Sequence, residues 1–158
     1  KILIVDDPTI WSRESKRFHR DVAGGATALL IEFPPGEYSI GGDTIRFETA
    51  GMEPRHFVSR DQCHPLAQTF QENDFRFWHD PALDRPSPLL HTLFFANDSW
   101  QPILHTGQGG WGIKWEPALA VAEKPYGKGR FIICQITLAA RLNNPAALLF
   151  ARALLTQP

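Results

Sequence analysis

The sequence predicts an α/β fold in three layers: a largely parallel sheet between helices, closed by a C-terminal β-hairpin followed by a helix. Three observations point there. Apolar runs at 1–6 and 26–33 flank a segment in which Trp11, Ser15, Phe18 and Val22 recur at helical spacing, the pattern of a β-α-β crossover between parallel strands. Two more apolar runs, 118–126 and 131–138, flank Gly127-Lys128-Gly129, whose glycines suit the positive φ of a short hairpin turn. The second arm is almost uninterrupted apolar sequence, as a strand covered on both faces requires. Asn144-Pro145 then opens a helix as N-cap and first residue, with Ala147, Leu148, Ala151, Leu154 and Leu155 on one face.

Asp7-Pro8 caps and begins the first helix, with Ser12 an equal candidate for the cap, and Gly24-Gly25 ends it. Pro34-Pro35-Gly36 stops the second strand at its carboxyl end. Residues 38–48 hold a Gly41-Gly42-Asp43 turn and read as a small hairpin excursion. From 50 to 88 the regular periods fade; 56–59 reads as a short strand, and Pro81, Pro86 and Pro88 make 80–88 a loop. Residues 89–96 and 101–106 read as two strands joined into a hairpin by Asn97-Asp98-Ser99. A glycine-rich loop, 107–112, precedes Trp115.

At 158 residues the chain is one α/β domain, 1–158. It begins at Lys1, inside a strand, so it is expected to be part of a longer chain with an N-terminal neighbour. With 16 basic and 17 acidic residues, no charge excess points to nucleic acid or an acidic membrane surface. Cys63 and Cys134 are too few for a disulfide framework. No apolar run approaches the ~20 residues of a membrane-spanning helix. The compartment is left open.

Several catalytic patterns are incomplete in this sequence. Asp6-Asp7 and Lys124-Pro125-Tyr126 are similar to parts of a response-regulator receiver, yet no aspartate ends a third strand, and Glu32 comes one helix too early for that role. Neither Cys63, Cys134 nor Ser39 has the flanking glycines of a nucleophile elbow. Gly127-Lys128-Gly129-Arg130 joins two strands, so it lacks the helix N-terminus of a phosphate loop. Asp61, Cys63, His64 and His79 form a weak alternative metal set, since all four are competent ligands but match no strong spacing. The leading candidate is a carbohydrate-binding cluster of Trp100, Gln108, Trp111 and Trp115, in which indole faces stack on sugar rings and the amide bonds hydroxyls.

The segments His64-Pro65-Leu66, Asn73-Asp74-Phe75-Arg76-Phe77-Trp78, Glu123 through Leu138 with its Gly127-Lys128-Gly129-Arg130 turn, and Arg141 through Ala147 together resemble C-terminal accessory domains of family 2 glycoside hydrolases of the β-galactosidase type. The resemblance covers about half of the chain. It implies a class I glutamine amidotransferase-like, flavodoxin-like sandwich with no catalytic residues and no cofactor, because the amidotransferase cysteine elbow and histidine-acid pair have no counterpart here. The implied partners are upstream domains of the same chain, with carbohydrate and a homo-oligomer as further candidates. The parent chain would be the hydrolase, its two carboxylates carried on a (β/α)₈ barrel that this domain cannot contain. A stand-alone enzyme of the trehalose-utilisation type and an independent sugar-binding module are the alternatives.

Overall fold

The computed structural model describes residues 1–52, 54–110 and 112–156. Its elements are β1 (Ile2–Val5), α1 (Pro8–Ala23), β2 (Thr27–Ile31), β3 (Gly36–Ile40), β4 (Asp43–Thr49), β5 (Ser59–Arg60), α2 (Pro65–Gln68), β6 (His79–Asp80) and β7 (Arg85–Pro86). They continue with β8 (Thr92–Phe95), β9 (Gln101–Gly110), β10 (Ile113–Tyr126), β11 (Gly129–Cys134) and α3 (Pro145–Thr156).

The first third forms as its periodicity requires. β1 and β2 pair in parallel, with Ile2 beside Thr27 and Val5 beside Leu30. Asp7 is the N-cap of α1: its Oδ1 accepts from the backbone N–H of Thr9 at 2.7 Å, and Pro8 takes the first turn, where no N–H is needed. Ser12 lies inside the helix and donates its hydroxyl to the Pro8 carbonyl at 2.9 Å. At the other end of the chain, Asn144 caps α3 by accepting from the N–H of Ala146 at 2.9 Å.

β10 is the spine of the main sheet. Val121 pairs with Cys134 of β11 and also with Leu104 of β9, so β9 and β11 lie on opposite edges of β10. Leu119 pairs with His105 of β9 and with Phe94 of β8, so β8 shares the edge that β11 occupies lower down. One edge of β10 therefore serves two limbs: β11-β2-β1, which is parallel within itself, and β8-β4-β3, which is antiparallel. β9 and the short β5 line the other edge, and β6 and β7 form a separate ribbon.

This arrangement overturns the expected flavodoxin-like, glutamine amidotransferase-like sandwich. Among the described residues parallel pairing is confined to β1, β2 and β11, and every other strand pairing is antiparallel. A doubly wound sheet needs a crossover helix after nearly every strand, and α1 is the single long helix between strands among the described residues. The molecule is a β-rich mixed sheet that curls. Two local expectations change with it. The 38–48 hairpin is an integral limb, because β4 pairs with β8 from Arg46–Phe95 to Thr49–Thr92. Residues 89–96 and 101–106 form no hairpin, since β8 and β9 lie on opposite edges of β10, and Gly107 to Gly110 belong to β9 rather than to a loop.

Side chains alternate across β11 and bury both faces. Phe131 and Ile133 point to one cluster with Trp11, Phe18 and Val22 of α1; Ile132 and Cys134 point to another with Ala147, Phe150 and Leu154 of α3. That double burial is why the strand reads as a continuous apolar run.

Candidate functional site

The residues of the aromatic cluster are placed apart. Trp100 is buried, and its indole N–H donates to Asp43 Oδ2 at 3.0 Å. Gln108 braces two chain segments: its Oε1 accepts from the Gly51 N–H at 3.0 Å and its Nε2 donates to the Thr49 carbonyl at 2.8 Å. Trp115 is half exposed, with its ring laid against β9 where Gly107 and Gly109 leave room; a Cβ at Gly107 would lie 2.0 Å from the ring. Trp111 lies outside the described residues. Trp100 and Trp115 line different grooves.

The alternative metal set is likewise divided between local networks. Asp61 Oδ2 lies 2.7 Å from His105 Nε2, and Asp61 Oδ1 accepts from the N–H groups of Cys63 and His64, both at 2.8 Å. Burial acts to raise this carboxyl, but His105 and the two N–H donors outweigh it and hold it below its ordinary range. His64 Nδ1 accepts from the Leu66 N–H at 3.2 Å, so its Nε2 carries the proton and donates to Glu123 Oε1 at 3.2 Å. Cys63 is exposed. His79 sits on the β6-β7 ribbon beside Asp84. Among the described residues no group of three or more His, Cys, Asp or Glu is arranged to hold a metal ion.

A different cleft has the features of a site. It opens where β10 changes partner, between the carboxyl ends of β2 and β11 and the start of β8, and its volume is about 390 Å³, within the range of small-molecule sites. Glu32, Pro34, Pro35, Thr49, Arg55, His91, Thr92 and Gln135 line it. In parallel α/β sheets ligands bind beyond the carboxyl ends of the strands, and the parallel β1-β2-β11 limb presents that end here.

The backbone presents Glu32 at a cost. Its N–H continues the sheet by donating to the Cys134 carbonyl at 3.0 Å, after which the residue turns left-handed, with φ of 52°. For a side chain other than glycine this conformation costs about 1 kcal/mol. Burial raises the Glu32 carboxyl above its ordinary range, against the opposing pull of the Ala139 N–H donor and of His91. The carboxyl has no cationic partner in an ion pair among the described residues, and neither does Arg55 across the cleft have an anionic one. Arg55 is held by its Nε, which donates to the Ala50 carbonyl at 3.1 Å.

The floor holds a polar pair with unmet capacity. Gln135 and Thr92 are both buried. The Thr92 hydroxyl lies 2.9 Å from the Phe33 carbonyl and 2.6 Å from Gln135 Oε1, and its single proton serves one of those acceptors. Gln135 Nε2 is buried without a hydrogen-bond partner. Either orientation of the amide leaves one of its two terminal atoms unpaired in the floor of the cleft, which costs about 1–3 kcal/mol.

Of these residues, the sequence marks Glu32 as a failed phosphoacceptor and Pro34-Pro35 as the stop of a strand. The signal that finds Glu32 is positional: an acid directly after a buried parallel strand and directly before Pro34-Pro35. Arg55, Thr92 and Gln135 carry no motif, and only the edge change on β10 gathers them.

No family model matches the chain, and no curated protein matches it by sequence. Among solved structures, the fold is similar to part of the crystal structure of a β-galactosidase from Bacillus circulans sp. alkalophilus, with a TM-score of 0.55 at 13% sequence identity. The match takes in 98% of this chain and 22% of that one; at this identity the likeness is one of fold, and the chain corresponds to about a fifth of a glycoside hydrolase's length.

Proposed function

We propose that the chain serves as a non-catalytic accessory domain of a multidomain, β-galactosidase-like glycoside hydrolase, contributing domain packing, oligomer contacts or contacts near the substrate. The observation that carries this reading is the near-complete match of the chain to a segment of a much longer β-galactosidase. The sequence resemblance around the 127–130 turn and the Asn144-Pro145 helix start leads to the same class of enzyme independently. Glycoside hydrolysis takes a pair of carboxyl groups flanking the scissile bond, and the cleft at the β10 fork is lined by one, Glu32.

The test is turnover. The purified protein is expected to release no nitrophenol from 4-nitrophenyl β-D-galactopyranoside. Release that persists through repurification would overturn the non-catalytic reading.

A further inference from the structure

We infer that the cleft between the two limbs of the sheet binds a neutral polyhydroxylated ring, a monosaccharide or the end of a glycan, gripped by Glu32, Arg55, Thr92 and Gln135. The inference takes its choice of probes from the accessory-domain reading; the cleft itself is argued on geometry alone.

The complement of groups defines the ligand. Glu32 supplies a carboxyl acceptor and Arg55 supplies donors only, while Gln135 adds a buried amide with one terminal atom unpaired and Thr92 a hydroxyl of either sense. A simple anion would meet Arg55 and oppose Glu32; a simple cation would do the reverse. A vicinal pair of hydroxyls satisfies both sides, because each hydroxyl donates to the carboxyl and accepts from the guanidinium or amide. The exposed rings of Pro34 and Pro35 line the same cleft and offer an apolar wall to the C–H face of a sugar ring.

The backbone supports a binding role over a structural one. Glu32 holds a left-handed conformation that glycine would adopt without strain, and Gln135 keeps an amide that an apolar residue could replace without an unmet hydrogen bond. Two local costs facing one cavity are the mark of a site kept for its ligand.

The experiment is saturation-transfer and ¹H–¹⁵N NMR on the protein with D-galactose, D-glucose and lactose, and with glycine as a zwitterionic probe. The expected result is transfer to ring protons of at least one sugar, with amide shifts centred on Glu32, Thr92, Gln135 and Ala139. Glu32→Gln keeps an acceptor for the Ala139 N–H and therefore the fold; it should weaken binding about tenfold, as should Arg55→Met. Trp115→Ala, which alters the separate groove beside β9, should leave the affinity unchanged. The inference is overturned if no sugar gives transfer, if glycine alone shifts the named amides, or if Trp115→Ala abolishes binding while Glu32→Gln does not. Sugar binding with no aryl-galactoside turnover supports both readings; absent binding removes this one and leaves the accessory reading intact, while turnover by the pure protein removes that reading and leaves the amide shifts to decide this one.

Discussion

Asp43 ties three distant parts of the chain through one carboxylate. Its Oδ2 pairs with Lys124 Nζ and accepts from Trp100 Nε1 and Ser99 Oγ, each at 3.0 Å. The Lys124 contact is the chief cause that lowers the carboxyl from an ordinary 3.8 to about 2. Because the folded value lies below the unfolded one, this stabilisation is fully present above pH ~4 and is lost as pH falls toward about 2. Asp43→Asn should cost about 1 kcal/mol at pH 7, allowing for solvent screening at a partly exposed pair. Urea unfolding at pH 7 and near pH 2 checks this, with the difference from wild type expected to vanish at the lower pH. A constant difference across that range would show that packing, not charge, sets the Asp43 contribution. At this scale the sequence shows residue chemistry and conceals partners. Asp43 reads as a turn residue and Trp100 as a sugar platform until the fold brings both to Lys124; Glu32 is visible at its strand end, but Arg55 and Gln135 are not visible beside it.

The β10-β11 hairpin shows how much of an element can be read, and for what reason. Its turn lies where Gly127 and Gly129 suggest, but flexibility is only part of what the two positions require. Gly127 has a φ of 61°, and a Cβ there would also lie 2.7 Å from the Ala23 carbonyl oxygen at the end of α1. Gly129 meets a need for space: a Cβ there would lie 2.0 Å from the Ala26 carbonyl oxygen. The turn docks on the end of α1, with the Lys128 N–H donating to the Ala23 carbonyl at 3.0 Å and that of Arg130 to the Ala26 carbonyl at 3.2 Å. Gly129→Ala must push the backbones of β11 and the α1-β2 link apart. It should cost about 3 kcal/mol in chemical denaturation, far beyond the effect of losing glycine flexibility alone, and a change under ~1 kcal/mol would show that the link yields freely. The same confusion of space with flexibility turned 107–112 into a loop. Gly107 and Gly109 are strand residues that leave room for Trp115, and a single-sequence reading sees only their turn propensity.

At the scale of the molecule, the β-α-β start, the doubly buried β11 and the capped α3 were legible because each is declared by local periodicity and punctuation. The fold class was not, because it depends on which strand meets which edge of β10, and apolar alternation carries no partner information. That one strand also decides how the molecule should unfold. Two hydrophobic clusters lie on opposite faces of the sheet, one under α1 with Trp11 and one under α3 with Trp78 and Phe150. They are not separable domains, since β10 and β11 supply both in alternation: Val121 and Ile132 to the α3 side, Ala122 and Ile133 to the α1 side. Removing a side chain from one cluster must therefore loosen strands that the other cluster needs. Phe150 is fully buried against Phe70 and Phe75, so Phe150→Ala should cost about 4 kcal/mol, a large share of the ~5–15 kcal/mol that holds a domain of this kind together. In a urea titration followed by NMR, the indole N–H signals of Trp11 and Trp78 should disappear together in the wild type and, at a lower common midpoint, in Phe150→Ala. Early loss of Trp78 with Trp11 retained would mean that the two faces melt independently, and that β10 does not couple the limbs between which the Glu32 cleft opens.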